Sequence, residues 1–534
     1  MIKGFRQIAS LTALSRVLGF VRDAAYSHFF GAGALLDAWS IAFKIPNLAR
    51  RLLGEGAASA SFIPVYSEEL HKNRHHAKEM VNTVVTVLFV ILTAIIIIGE
   101  VLVWGYYKLF STTGESKMVL SLTAIMLPYM LPICIVAILG GILNVHRHFA
   151  IPAAVPIVLN IFIIAGIPFA DSILNLPKQK QVFGVAVVVL IAGVAQIVIH
   201  IPALIRRGVS IRPAWQVHSE AFRKIIILMG PMVLGLAVTQ INTLGDDLIA
   251  WWFSSSVEKG TFFMLMGSKI LYPMNRGSVS HLYFSQRLYQ LPLGVFGISL
   301  ATAIFPVMSA ASARKDFTEL GRMLSRGFCA CVFIAIPAAV GLVATAKPLI
   351  AFAFQHGRFT DKDTNMVVWT LFFYALGLLG YFSQQVIVRA FYSMQNSKTP
   401  VISALTAVGV NIVLNLTLMW FLGTGGLALS TTLCSYLQVV ILTTILHRQL
   451  GSTIFKGLAV TSAKTIAATL LMSAAIVIIG WLSETWPNVL KLTLMVPTGA
   501  VVYLAAAKVL KIEALSIFAG GKKDFKGEFI TAES

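Results

Sequence analysis

Acidic residues are scarce in this chain. Its 534 residues hold 22 Asp and Glu against 42 Lys and Arg, and charged residues of both signs make up only 12%. With 57% of residues hydrophobic, a soluble fold would have to leave broad apolar patches in water, so an ordinary soluble domain is excluded. Cysteine is almost missing. Cys134, Cys329, Cys331 and Cys434 all fall in apolar runs, and Cys329 and Cys331, two apart, point to different faces of a helix. Neither a disulfide framework nor a cysteine metal site is indicated. A Walker A loop, a nucleophile elbow and an HExxH pair are lacking too. The chain is therefore expected to be neither an ATPase nor another enzyme, and no organic cofactor is called for. His71, His75 and His76 stand among Lys and Arg in a polar stretch and read as a solvated face.

Apolar runs of about 20 residues, the length that crosses a bilayer, recur to near the C-terminus. They start near Ile8, Leu35, Val81, Met118, Ile151, Val182, Lys224, His281, Met323, Met366, Val401, Gly425, Leu458 and Leu490. These runs lack the short alternation of a barrel. An all-α polytopic membrane protein with about 14 transmembrane helices is expected. The first run is too long and too charged for a cleaved signal peptide. The net charge of +20 fits the positive-inside rule. A cytoplasmic N-terminus gathers Lys3/Arg6, Lys72/Arg74/Lys78, Arg206/Arg207/Arg212, Arg314/Lys315/Arg322/Arg326, Arg448/Lys456 and the Lys508–Lys526 tail on one side. Both termini are then cytoplasmic. Without a basic soluble domain, nucleic acid is not an expected partner.

The two halves of the chain echo each other. Pro46 followed by Phe62-Ile63-Pro64-Val65 returns as Pro292 followed by Ile304-Phe305-Pro306-Val307. Pro152 followed by Asn160-Ile161 returns as Pro400 followed by Asn411-Ile412. Each copy holds about six helices, so both insert with the same orientation and form two lobes about an axis along the membrane normal. The expected division is 1–222 for the N-lobe, 223–450 for the C-lobe, and 451–534 for an added helix pair with a basic tail. Ser254–Ser280 is long for its place on the outer side, and its Phe262–Met266 run suggests an interfacial or re-entrant helix.

The first two spans carry charge where lipid is expected: Arg16, Arg22 and Asp23, then Asp37, Lys44, Arg50, Arg51 and Glu55. A charge at the bilayer centre costs about 2.5–3.5 kcal/mol even on insertion scales. Eight would oppose insertion by something on the order of 20 kcal/mol, less what snorkelling recovers. Asp37, Lys44 and Arg51 are seven apart and share a helix face with Glu55, while Pro46 can free carbonyls toward a cavity. Arg16 and Asp23 share a face of the first helix; Arg22 points about 100° away. Internal ion pairs between the two helices are one reading. The other is a wet cavity for an anion, because cations outnumber acids and guanidinium suits bidentate phosphate binding. Arg287, with Arg389 a weaker candidate, adds a cation from the second half. A further constellation joins Asp246 to Asn411, Asn415 and Thr431. One carboxylate with neutral oxygens suits Na⁺ or a transferable proton, though interhelical hydrogen bonding explains the amides nearly as well.

At Ser15-Arg16-Val17-Leu18-Gly19-Phe20-Val21-Arg22-Asp23 the chain resembles the MurJ (MviN) lipid II flippases of the MOP transporter superfamily. The resemblance continues through Phe30-Gly31-Ala32-Gly33, Asp37-Ala38, Ala42-Phe43-Lys44-Ile45-Pro46-Asn47, Arg50-Arg51 and Phe62-Ile63-Pro64-Val65. Arg287-Leu288, Phe354-Gln355-x-Gly357-Arg358-Phe359-Thr360 and Lys398-Thr399-Pro400 carry it further. It implies 14 helices in two lobes around a cationic cavity, a multi-pass protein of the bacterial inner membrane, and transport of lipid II, an undecaprenyl-diphosphate-linked disaccharide-peptide, between leaflets. By motif position, Arg16, Arg22, Asp23, Asp37, Arg50, Arg51, Glu55 and Arg287 match the family's functional charges, and the family's sodium site maps to Asp246, Asn411, Asn415 and Thr431. Na⁺ or H⁺ coupling and contact with cell-wall synthesis machinery are expected. Gln286, where relatives often carry an acid, and the Ser254–Ser280 segment depart from the pattern. An exporter of another polyprenyl-linked glycan and an ion-coupled drug exporter remain the alternatives.

Overall fold

A computed structural model of the chain describes residues 2–110 and 114–515, without the side chains of 2–9, 55–60, 231, 234 and 239. The side chain of Glu55 and the far end of the basic tail lie outside the described residues. Within a bilayer only intrahelical hydrogen bonding satisfies an isolated backbone, and the apolar runs fold accordingly into nineteen α-helices among the described residues. The chain divides into two compact units, Met1–Ser280 with His356–Thr360, and His281–Gln355 with Asp361–Ser534.

The first unit holds α1 (Ile2–Phe30), α2 (Ala34–Ala49), α3 (Ala57–Lys72), α4 (Arg74–Leu109), α5 (Gly114–Met126), α6 (Met130–Val145), α7 (Ala150–Pro168), α8 (Lys178–Ile205) and α9 (Glu220–Trp252). Polar residues mark the starts. The Asn73 side chain accepts from His75 N at 2.8 Å ahead of α4, and Ser219 Oγ accepts from Phe222 N ahead of α9, each satisfying an otherwise orphaned helix N–H. Phe62, Tyr66, Val81, Ile138, Ile142 and Phe222 form a buried core among α3, α4, α6 and α9. Gly31 and Gly357 mark a close backbone approach. Both have positive φ, Arg358 N donates to His28 O at 3.0 Å, and a β-carbon on either glycine would stand 2.9 Å or less from main-chain oxygen.

The second unit continues with α10 (Ser278–Pro292, whose first turn belongs to the first unit), α11 (Ile298–Ala313), α12 (Phe317–Ala344), α13 (Ala346–Phe354) and α14 (Asp361–Leu376). It is completed by α15 (Leu378–Ser393), α16 (Lys398–Leu422), α17 (Thr424–Leu450), α18 (Leu458–Leu482) and α19 (Asn488–Val509). The last two helices pack against α12: Phe333, Met472, Ile476, Met495 and Tyr503 share a buried cluster, and Tyr503 Oη donates to Phe333 O.

Among the described residues, 11 helical segments are long and apolar enough to cross a membrane, or 12 if the bent pair α14–α15 counts as one span. The expected 14 are not reached by that measure. The runs outside it are α1, which carries Arg16, Arg22 and Asp23, and the broken run α2–α3, which carries Asp37, Lys44, Arg50 and Arg51.

Proline shapes the helices of both units in the same way. Pro46 precedes a π-helical turn at Arg50–Gly56, and Pro292 directly precedes another at Leu293–Gly297. These are equivalent points of the sequence repeat: in each, a proline that loses the bond to the carbonyl four residues back stands ahead of a loosened turn.

One expectation is corrected. Ser254–Ser280 forms no helix before α10. It folds into β1 (Ser254–Ser255), β2 (Phe262–Leu265), β3 (Ser268–Leu271) and β4 (Met274–Asn275), with β2 and β3 an antiparallel hairpin. Met266 and Gly267, both at positive φ, make the two-residue turn that suits a tight hairpin. The flanking Phe, Ile and Leu favour strand, and the five apolar residues Phe262–Met266 before a turn-forming Gly are too few for a stable helix.

Candidate functional site: a polar seam on the α2 and α9 helices

The heptad spacing of α2 survives into tertiary structure. Asp37, Lys44 and Arg51 lie along one side of α2 and the π-helical turn after it, and each finds a partner from α9 or the segment that follows it. The Lys44 ammonium forms an ion pair with Asp247 and donates to Thr243 O at 3.1 Å. Arg51 Nη1 donates to Gln240 Oε1 at 2.8 Å. Gln240, Thr243 and Asp247 are themselves three and four apart, one face of α9. Asp37, fully buried, accepts from Gly277 N at 2.7 Å and from Ser280 N and Oγ at 2.8 and 2.6 Å. A carboxylate at the start of α10 satisfies orphaned donors and complements the helix dipole.

On α1, Arg22 and Asp23 are both buried. Arg22 Nε and Nη2 donate to Asp23 Oδ1 at 3.1 and 2.8 Å, and Nη1 donates to Asn160 Oδ1 on α7 at 3.0 Å. Asn160 Nδ2 donates in turn to Ser15 O at 3.1 Å. Adjacent positions on a helix point about 100° apart, so the spacing alone does not pair them. The length of the arginine stem lets its fork turn back, and Gly19 leaves room for the Asn160 amide, 3.7 Å from where a β-carbon would stand. Arg50 Nε donates to Asn47 Oδ1 at 3.2 Å. Arg16 is exposed and makes no ion pair among the described residues.

The internal ion-pair reading is met at two positions of the first unit. Arg22 and Lys44 are matched by carboxylates, as internal pairing requires. Arg50 donates to the Asn47 amide and Arg51 to the Gln240 amide, and Arg16 and Arg51 are exposed. The excess of cations is smaller than α1 and α2 alone suggest, because α9 contributes Asp247. Sequence reasoning missed Gln240 and Thr243 and gave Asn160 no functional role. The available signal was polar residues at helical spacing in apolar runs.

In the second unit, Arg287 Nη2 donates to Tyr283 Oη at 3.2 Å and its guanidinium lies 4.8 Å over the Tyr283 ring. Gln286, the departure noted above, donates to Tyr374 Oη at 3.1 Å. Arg389 is half-buried on α15. Asn411 and Asn415 are buried on α16, and Asn415 Nδ2 donates to Asn411 Oδ1 at 2.9 Å. The Asn411 Nδ2 has no hydrogen-bond partner. Thr431 Oγ1 donates to Leu427 O at 3.2 Å. Asp246, the carboxylate expected to join them, is buried in the first unit. Among the described residues no group of three or more His, Cys, Asp or Glu could hold a metal ion. The oxygens of Asn411, Asn415 and Thr431 have the chemistry a hard cation takes, although one of the Asn411 oxygen's positions is used by Asn415.

The family model for the lipid II flippase MurJ matches residues 26–499, which include α2, α9 and α10. The chain belongs to that family. It is 32% identical to the probable lipid II flippase MurJ of Vibrio cholerae over 83% of this chain and 82% of that one. It is 28% identical to the lipid II flippase MurJ of Burkholderia cenocepacia over 80% of each. A solved structure titled lipid II flippase MurJ, inward closed conformation, aligns with a TM-score of 0.74 and 26% identity, covering 96% of this chain and 99% of that one. An inward-facing MATE-family multidrug transporter of the MOP superfamily aligns with a TM-score of 0.63 at 13% identity, covering 84% of this chain and 98% of that one. That likeness shows the shared MOP fold.

Proposed function

We infer that the chain is a flippase that moves lipid II from the inner to the outer leaflet of the bacterial cytoplasmic membrane. Membership of the MurJ family carries the reading, and the polar seam on α2 and α9 supports it: such charge is retained inside apolar helices at considerable cost, which points to function rather than to packing. The substrate's diphosphate is the natural guest of guanidinium groups. In this reading Arg16, Arg50 and Arg51 offer the cations first met by the headgroup, Arg22 and Lys44 exchange their carboxylate partners for it, and Arg287 is the second repeat's own candidate for binding the substrate. Asp23 and Asp37 hold the scaffold. The two repeats, divided at 222/223 by sequence although the first compact unit runs on to Ser280, are the proposed alternating-access halves, and 451–534 is an accessory pair.

The chain performs transport, and lipid II leaves unchanged. Na⁺ or H⁺ coupling is proposed because the chain carries no Walker A motif and because α16 and α17 provide buried neutral oxygens. Cytoplasmic termini follow from the charge bias of the loops, and enzymes that consume outer-leaflet lipid II are the proposed partners. Purified protein in proteoliposomes with labelled lipid II tests the reading. Transfer of intact lipid II between leaflets is expected, reduced in Arg51→Gln and Arg287→Gln. Depletion in the native cell should accumulate lipid II on the inner leaflet; accumulation of a different polyprenyl-linked glycan would refute the substrate assignment.

A further inference from the structure

The β2–β3 hairpin is apolar on both faces. Cross-strand partners share a face, so Phe262, Leu271 and Met264 line one side with Lys269, while Phe263, Ile270 and Leu265 line the other with Ser268. Leu271 is 70% exposed and Met266, at the turn, 99%; Met264, Leu265 and Phe262 are exposed as well. A two-stranded ribbon of four-residue strands is marginal in water, and a cluster of exposed large apolar side chains marks a surface that something covers.

The base of the ribbon is held firmly. Both Glu258 carboxylate oxygens accept from Glu115 N at 3.1 Å, at the start of α5. Arg276 donates to Glu115 Oε2 and to Trp251 O, each at 2.6 Å, and stacks 3.6 Å over the Trp251 ring. The only acid of the ribbon, Glu258, and one of its cations, Arg276, are thus engaged at its root. Two cations stand beside the apolar surface: Lys259, half-buried and donating to Trp252 O at 3.0 Å, and Lys269, which is exposed near the turn. Lys259 lies over Trp252 and Tyr272, and Lys269 lies 4.9 Å over Phe262. Leu248 and Trp252, four apart on α9, are exposed as well.

We propose that this hairpin is an interfacial anchor: its apolar tip enters the headgroup and upper acyl region of the leaflet at the end of α9, and Lys259 and Lys269 meet anionic lipid phosphates. Aromatic and lysine side chains around an apolar insertion are the composition of a membrane interface, and net positive charge complements anionic lipid. Strands of four residues reach roughly 13 Å, enough to traverse a headgroup layer of about 5–8 Å. Because Asp37 binds Gly277 and Ser280 at the far end of the same segment, the anchor ties the start of α10 and the α2 seam to the bilayer plane. The anchor stands on the membrane-spanning fold alone and survives a change of transported substrate.

The test places an environment-sensitive fluorophore on Met266→Cys and, separately, on Leu271→Cys, in the full chain in nanodiscs of phosphatidylethanolamine and phosphatidylglycerol. The native cysteines are buried or half-buried, and both new sites are exposed, so folding is spared. The expected result is a blue-shifted label, quenched by lipids spin-labelled near the glycerol end and shielded from aqueous iodide. Lys269→Glu should reduce the lipid quenching in phosphatidylglycerol discs. Iodide quenching with no lipid quenching at both positions would overturn the anchor and assign the surface to a soluble partner.

Discussion

Asp37 accepts two hydrogen bonds from Ser280, one from its main-chain N–H at 2.8 Å and one from its hydroxyl at 2.6 Å. With the bond from Gly277 N, a carboxylate near the start of α2 fixes the first turn of a helix more than 200 residues later. Its buried position makes the arrangement stabilising only while each donor keeps its acceptor. Asp37→Ala leaves three donors without it, at about 1–3 kcal/mol for each one left buried and unsatisfied. A lower thermal midpoint in detergent is expected, with Asp37→Asn closer to the parent because one oxygen remains. Equal midpoints for all three proteins would remove Asp37 from the scaffold.

Arg22 and Asp23 separate structure from transport. Arg22→Ala removes the guanidinium paired with a buried carboxylate, and breaking such a pair costs about 3–5 kcal/mol. Adding Asp23→Ala should recover much of the stability. If Arg22 also grips the diphosphate, flipping activity should stay low in the double variant while the thermal midpoint returns. Recovery of both together would make Arg22 purely structural.

Lys44 and Asp247 compete in the same way. Asp247→Asn weakens the internal partner of Lys44, so lipid II should bind more tightly and be released more slowly. Equilibrium binding of labelled lipid II and single-turnover flipping would measure the two effects. Lys44→Met should weaken binding instead; if both variants left binding unchanged, Lys44 would have no part in recognition.

Glu68, at the polar end of α3, is held near a pKa of about 2 by its hydrogen bond to Lys224 on α9 and then by that to Lys72. The folded value lies below the ordinary 4.5. The stabilisation is therefore complete above pH 4.5 and is lost as pH falls toward 2. Thermal midpoints of the parent and Glu68→Gln should differ at neutral pH and converge in acid. A constant gap across that window would show that the carboxylate charge is not responsible.

Much of the architecture is legible from residue order. Apolar runs of bilayer length, basic loops and the repeated prolines require little knowledge of contacts, because a helix satisfies its own backbone and a proline acts on its own turn. The face shared by Asp37, Lys44 and Arg51 is legible for the same reason, as helical period alone sets it. The Ser254–Ser280 segment was misread because a short apolar run has no period to separate helix from strand, and the decision falls to the Met266-Gly267 turn.

What the sequence by itself determined is where the charges sit along the helices and that a membrane surrounds them. Which charge meets which partner was decided only in three dimensions. Asp247 reaches Lys44 across 203 residues and Asn160 reaches Arg22 across 138. Such pairs depend on how α2 packs on α9 and α1 on α7. The physical reason is range: backbone hydrogen bonding and side-chain period act within a few residues, whereas the pairing of a buried charge is set by whichever helix packing brings alongside it.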